Sequence, residues 1–160
     1  MQNQYLAEHS VLKLQGPVDA NGGVTGDRIN LDVSSRIAIV IQLGSSAAST
    51  VEATLRQHDA AAAGNSKDLE VANKYYYKAG AALSFTKVEP TANAALYDLS
   101  AEFSTDGGIL VLEVAGEDLD VNGGFNHVSV DLASSGVAKD VAILHVGHAS
   151  FKKPAFEVEA

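Results

Sequence analysis

From Arg28 onward the chain alternates apolar and polar positions: Ile29, Leu31 and Val33, then Ile37, Ile39, Ile41 and Leu43, with Ser34-Ser35 between the two groups. Successive side chains leave a strand on opposite faces, so a period of two in β-branched and aliphatic residues predicts strands, either a tight hairpin or one long bent strand. Ala38 and Val40 fill the second face of the second group, which places that segment at the centre of a sheet. Val51, Ala53 and Leu55 alternate with Thr50, Glu52, Thr54 and Arg56, the pattern of a strand with one wet face.

After Asp59 the alternation stops. Ala60 to Ala63 and Gly64-Asn65 open a long connection that allows a helical turn near Asp68 to Asn73 and ends in Tyr75-Tyr76-Tyr77. Strands resume over residues 83–88, 95–100, 109–114, 126–132 and 141–146. Val128, Val130 and Leu132 share one face, opposite His127, Ser129 and Asp131. Many short strands joined by Gly-rich turns predict an all-β fold, a β-sandwich or jelly-roll-like domain over residues 28–149. Residues 1–27 read as an extended N-terminal arm, because Gly16-Pro17, Asn21-Gly22-Gly23 and Gly26 interrupt any element longer than a short strand at Val11-Leu12. Residues 150–160 read as an extended C-terminal tail in which Pro154 blocks a helix. The strand core is expected to fold without either arm.

A chain of 160 residues suits one domain and buries roughly 70% of its unfolded surface. Apolar residues make up 46% of it, yet 25 residues are Ala, so a thin core is expected. The absence of Cys excludes disulfides, zinc–thiolate sites and thiol nucleophiles. Residues 1–16 lack a basic segment followed by an apolar run, and no stretch approaches the ~20 apolar residues of a membrane span; the expectation is a soluble protein with no membrane partner and no export signal. The formal charge is −9, and residues 88–138 contain no Lys or Arg while carrying Glu89, Asp98, Glu102, Asp106, Glu113, Glu117, Asp118, Asp120 and Asp131. Such a surface repels phosphate backbones, so no nucleic-acid partner is expected, and the acidic stretch reads as a solvated face.

Asp118-Leu119-Asp120-Val121-Asn122-Gly123 matches the opening of an oxygen-rich calcium loop. Its twelfth position is Ser129, where a bidentate Glu is needed, and its flanks read as strands. The motif is therefore expected to be a hairpin turn with Asn122-Gly123 at positive φ, without metal. His9, His58, His127, His145 and His148 are too scattered for a metal set; His58, between Gln57 and Asp59, is expected to hold a strand end through turn hydrogen bonds. Gly44-Ser45-Ser46-Ala47 lacks the second Gly of a nucleophile elbow, no phosphate loop occurs, and spacing alone brings no Ser, His and carboxylate together. Catalytic residues and cofactors are accordingly expected to be absent. Tyr75, Tyr76 and Tyr77, flanked by Lys74 and Lys78, suit either the core edge or an interface.

Gln42-Leu43-Gly44, Thr54 to Asp59, Lys74 to Lys78, Glu113 to Asp120 and Asn126 to Val130 together resemble head decoration (cement) proteins of tailed bacteriophages, across much of residues 36–132. The resemblance implies a non-enzymatic β-sandwich subunit on the capsid surface of a virion, clamping a preassembled lattice without a cofactor. It implies the major capsid protein and copies of itself as partners, in a homo-oligomer. Within the chain, the spaced hydrophobic anchors Tyr5, Leu12, Phe151 and Phe156, with Tyr75, Tyr76 and Tyr77, are the expected partner-binding residues. The competing readings are a phage tail or head-to-tail connector protein, which forms rings, and a carbohydrate- or calcium-binding β-sandwich module.

Overall fold

The computed structural model describes residues 10–31, 34–80 and 82–149. Within them the chain builds two antiparallel sheets packed face to face. The strands are β1 (Ser10–Asp19), β2 (Ile29–Asn30), β3 (Ser34–Leu43), β4 (Glu52–His58), β5 (Ser66–Asp68), β6 (Tyr75–Ala79), β7 (Thr86–Val88), β8 (Leu96–Asp98), β9 (Gly108–Ala115), β10 (His127–Leu132) and β11 (Asp140–Ala149). A single helical turn, α1 (Ser100–Phe103), precedes β9. The larger sheet runs β1-β11-β3-β9-β6-β7 and the smaller β2-β10-β4-β5, with β8 sharing the free edge of β4 with β5.

The fold is an all-β sandwich, and β3 is central in its larger sheet, as its two apolar faces require. Ile37, Ile39, Ile41 and Leu43 of β3 point inward beside Leu110, Leu112 and Val114 of β9, and from the opposite sheet Ala53, Leu55, Val128, Val130 and Leu132 meet them in one continuous core. Each Val, Leu or Ile among them contributes about 1.5–3 kcal/mol by leaving water. Phe103 carries α1 into this core and is fully buried.

Tertiary pairing corrects four local expectations. Residues 10–19 of the expected N-terminal arm form β1, hydrogen-bonded along β11 from Ser10↔His148 to Asp19↔Asp140 with a register shift between Gln15 and Val18. Residues 1–9, with Tyr5, and the tail 150–160, with Phe151 and Phe156, lie outside the described residues. Ile29–Asn30 pairs with β10 whereas β3 lies in the other sheet, so the two alternating groups make neither a hairpin nor one strand. Where a helical turn was allowed, Ser66–Asp68 pairs with β4, and Leu69 and Val71 drop into the core. The tyrosines that were to end the long connection form β6, between β9 and β7.

Candidate interaction surfaces

β1 wears its alternation inside out. Register places Lys13 opposite His145 and Gln15 opposite Ile143, both on the inward side of β11, while Leu12 and Leu14 face outward opposite Val146 and Leu144. The inward polar positions have partners: Gln15 Nε2 donates to Thr25 O at 2.9 Å, Asp27 N donates to Gln15 Oε1 at 3.0 Å, and Lys13 Nζ lies 3.4 Å from Asp27 Oδ2. These bonds to the 25–27 segment fix the strand's rotation. Leu12 and Leu14 are consequently 41% and 65% exposed.

The outward face of the larger sheet continues this apolar surface. A row of directly paired residues, Leu14, Leu144, Val40, Val111 and Tyr76, crosses five strands from β1 to β6. Beside it run Leu12, Val146 and Ala38, ending at Glu113, and on the other side Ala142, Gln42 and Ile109, ending at Lys78. Antiparallel sheets with a solvated face carry polar residues there, so this composition is unusual. Only Tyr76 of the tyrosine cluster joins it. Tyr75 and Tyr77 turn inward, edge-on to Tyr97 at 5.2 Å and to Phe103 at 5.9 Å between ring centroids. An open cleft of about 300 Å³ adjoins the end of the face at Arg36, Asn73, Tyr76 and Glu113, where Asn73 Nδ2 donates to Glu113 O and Asp118 Oδ2.

A second exposed apolar feature is the connection between β6 and β7, where Leu83 is 100% and Phe85 48% exposed. The alternation predicts a strand over residues 83–88, but only Thr86–Val88 pairs, with β6, and Leu83 and Phe85 stand on the turn before it.

On the outer face of the smaller sheet, pairing brings together what spacing could not. His58 Nε2 lies 2.8 Å from Ser129 Oγ, with Asp131 two residues along the same face. Ser129 has no exposed surface and His58 is 5% exposed, so a substrate carbonyl has no approach to the hydroxyl. Asp131 accepts from Gly26 N at 3.0 Å and lies 3.9 Å from Arg56 Nε, while His58 Nδ1 has no hydrogen-bond partner among the described residues. Burial, reinforced by Arg28 and by Arg56 and His127, pushes the His58 pKa down to about 4. This pair joins two strands and is not arranged as a nucleophile with its base.

The acidic motif is spent internally. Asp118 Oδ2 accepts from Ala115 N at 2.8 Å and from Asn73 Nδ2 at 2.8 Å. Asp120 Oδ1 accepts from Gly123 N, its Oδ2 pairs with Lys67 at 2.5 Å, and the hydrogen bond from Lys67 is the main cause holding its carboxyl below the usual range. The turn is a pair of 3-10 segments over Gly116–Asp118 and Val121–Gly123, not a two-residue hairpin, and the positive φ belongs to Gly124 at 86°. Among the described residues no three His, Asp or Glu side chains gather as a metal set.

No protein family matches the sequence and no curated protein is significantly similar to it. Among solved structures, the prophage-derived protein YomS of SPBc2 aligns over 86% of this chain and 95% of its own, at 11% identity and a TM-score of 0.44. The VP2 subviral particle of infectious bursal disease virus aligns over 88% of this chain and 41% of its own, at 10% identity and a TM-score of 0.18.

Proposed function

We propose that the protein is a non-enzymatic structural subunit of a tailed-bacteriophage virion, bound to the outside of the assembled capsid as a decoration (cement) protein. The observation that carries the binding role is the β6–β7 connection, which holds Leu83 wholly in water and Phe85 half in it. Large apolar side chains at a loop tip gain free energy only when another macromolecule covers them. The major capsid protein is the partner favoured by the sequence resemblance, and the net charge of −9 favours a protein lattice over the packaged nucleic acid.

The reading is tested on purified particles. The protein should copurify with virions at high copy number, and a Leu83→Ser/Phe85→Ser variant should bind stripped particles at least ten-fold more weakly with an unchanged far-UV spectrum. Absence from particles sinks the proposal; a ring at a single vertex assigns the protein to the connector instead.

A further inference from the structure

We infer that the outward face of the six-stranded sheet is covered by the same face of a second copy of this chain. The inference does not rest on the capsid reading, because its observations lie on the opposite kind of surface: a flat sheet, not a loop tip. The face is set by register. Leu14, Leu144, Val40, Val111 and Tyr76 stand side by side across five strands, spanning about 19 Å at the usual strand spacing. Exposure of the leucines is not a fault of strand rotation, since Gln15 and Lys13 are both engaged on the inward side.

Size and charge select the occupant. Three rows at about 7 Å spacing over this span make a face of about 400 Å², so two copies stacked through it cover about 800 Å², the size of a weak, concentration-dependent interface. Polar margins at Arg36, Gln42, Glu113 and Lys78 add a rim to this apolar centre, as in stable interfaces. Two chains of charge −9 repel each other over most orientations, and the centre of this face carries no charge, with Glu113 and Lys78 at its margins supplying opposite signs. A twisted sheet face is also complementary to itself: aligned sheets pack about 10 Å apart with their strands within about 30°, and a two-fold axis brings identical patches together.

The full-length protein is examined by sedimentation across a concentration series, beside a Leu12→Glu/Leu14→Glu variant and a Val40→Lys variant. The expected wild-type mass is twice the chain mass of 16.6 kDa. The leucine variant, altered only at exposed edge positions, should keep its far-UV spectrum and melting temperature while its dimer dissociation constant rises at least ten-fold. Val40→Lys places a charge at the centre of the face and should leave only monomer. A wild-type monomer at hundreds of micromolar overturns the inference, as does a dimer whose affinity the leucine variant leaves unchanged. Monomeric wild type whose particle binding is lost in the leucine variant likewise overturns it and assigns the face to the capsid.

Discussion

His58 Nε2 and Ser129 Oγ meet at 2.8 Å across β4 and β10, closing a hydrogen bond that has almost no contact with solvent. The neutral imidazole is the form that fits, since protonation would bury a charge and place it beside Arg28 and Arg56. Its folded pKa, about 4, lies below the ordinary 6.5, so between these values the unfolded chain binds more protons. Stability is therefore full above pH 6.5 and is lost as pH falls toward 4, by at most about 3 kcal/mol. Burial shifts His145 in the same direction. Melting temperature measured from pH 7 to pH 4.5 should fall, and His58→Gln should flatten that slope; equal slopes in both proteins would discount His58.

Lys139 is 2% exposed, and its ammonium donates to Phe103 O at 2.9 Å and Ser46 Oγ at 3.1 Å. It ties the end of α1 to the loop after β3 without a buried carboxylate. Lys139→Met keeps much of the volume but strands the Phe103 carbonyl, which costs about 1–3 kcal/mol. Chemical denaturation should show a lower midpoint at unchanged slope. A variant as stable as wild type would mean that water replaces the ammonium.

Gly26 lies against β10, where its N donates to Asp131 Oδ1 and an added Cβ would collide with the Val130 carbonyl. Gly26→Ala should force the 24–27 segment off the sheet edge and lower the melting temperature by several degrees, whereas Gly22→Ala, with nothing within 4 Å of its Cβ position, should not. Similar melts for the two variants would refute the close approach.

Asp118 accepts two hydrogen bonds that hold the turn after β9 to Asn73. Asp118→Ala should cost about 1–3 kcal/mol through the unpaired Ala115 N–H. Melts of the wild type in millimolar calcium and in chelator should coincide. A calcium-dependent rise that Asp118→Ala abolishes would reinstate the metal reading.

Deleting residues 1–27 removes β1 and leaves the edge of β11 and the inward side of the sandwich uncovered. The truncated chain should therefore lose cooperative melting or aggregate, contrary to what an independent arm would allow. A soluble, sharply melting 28–160 fragment would show that β1 is dispensable for folding.

Alternation by itself determined that this chain is built of strands, because a period of two in Ile, Val and Leu can bury one face only as strands, and both faces of residues 37–43 only at the centre of a sheet. It also put Val128, Val130 and Leu132 opposite His127, Ser129 and Asp131, which the core reproduces. Pairing partners were beyond its reach. β1 looked like an arm because Gly16-Pro17 breaks its local pattern, and only the length of β11 beside it makes ten residues a strand. The His58–Ser129 bond and the apolar row from Leu14 to Tyr76 join residues 71 and 62 positions apart, fixed by register between strands. Tertiary structure decided which side of β1 faces inward as well: Gln15 donates to Thr25 O and accepts from Asp27 N, and Lys13 lies 3.4 Å from Asp27, so the polar partners of β1 stand on that side and its leucines face out.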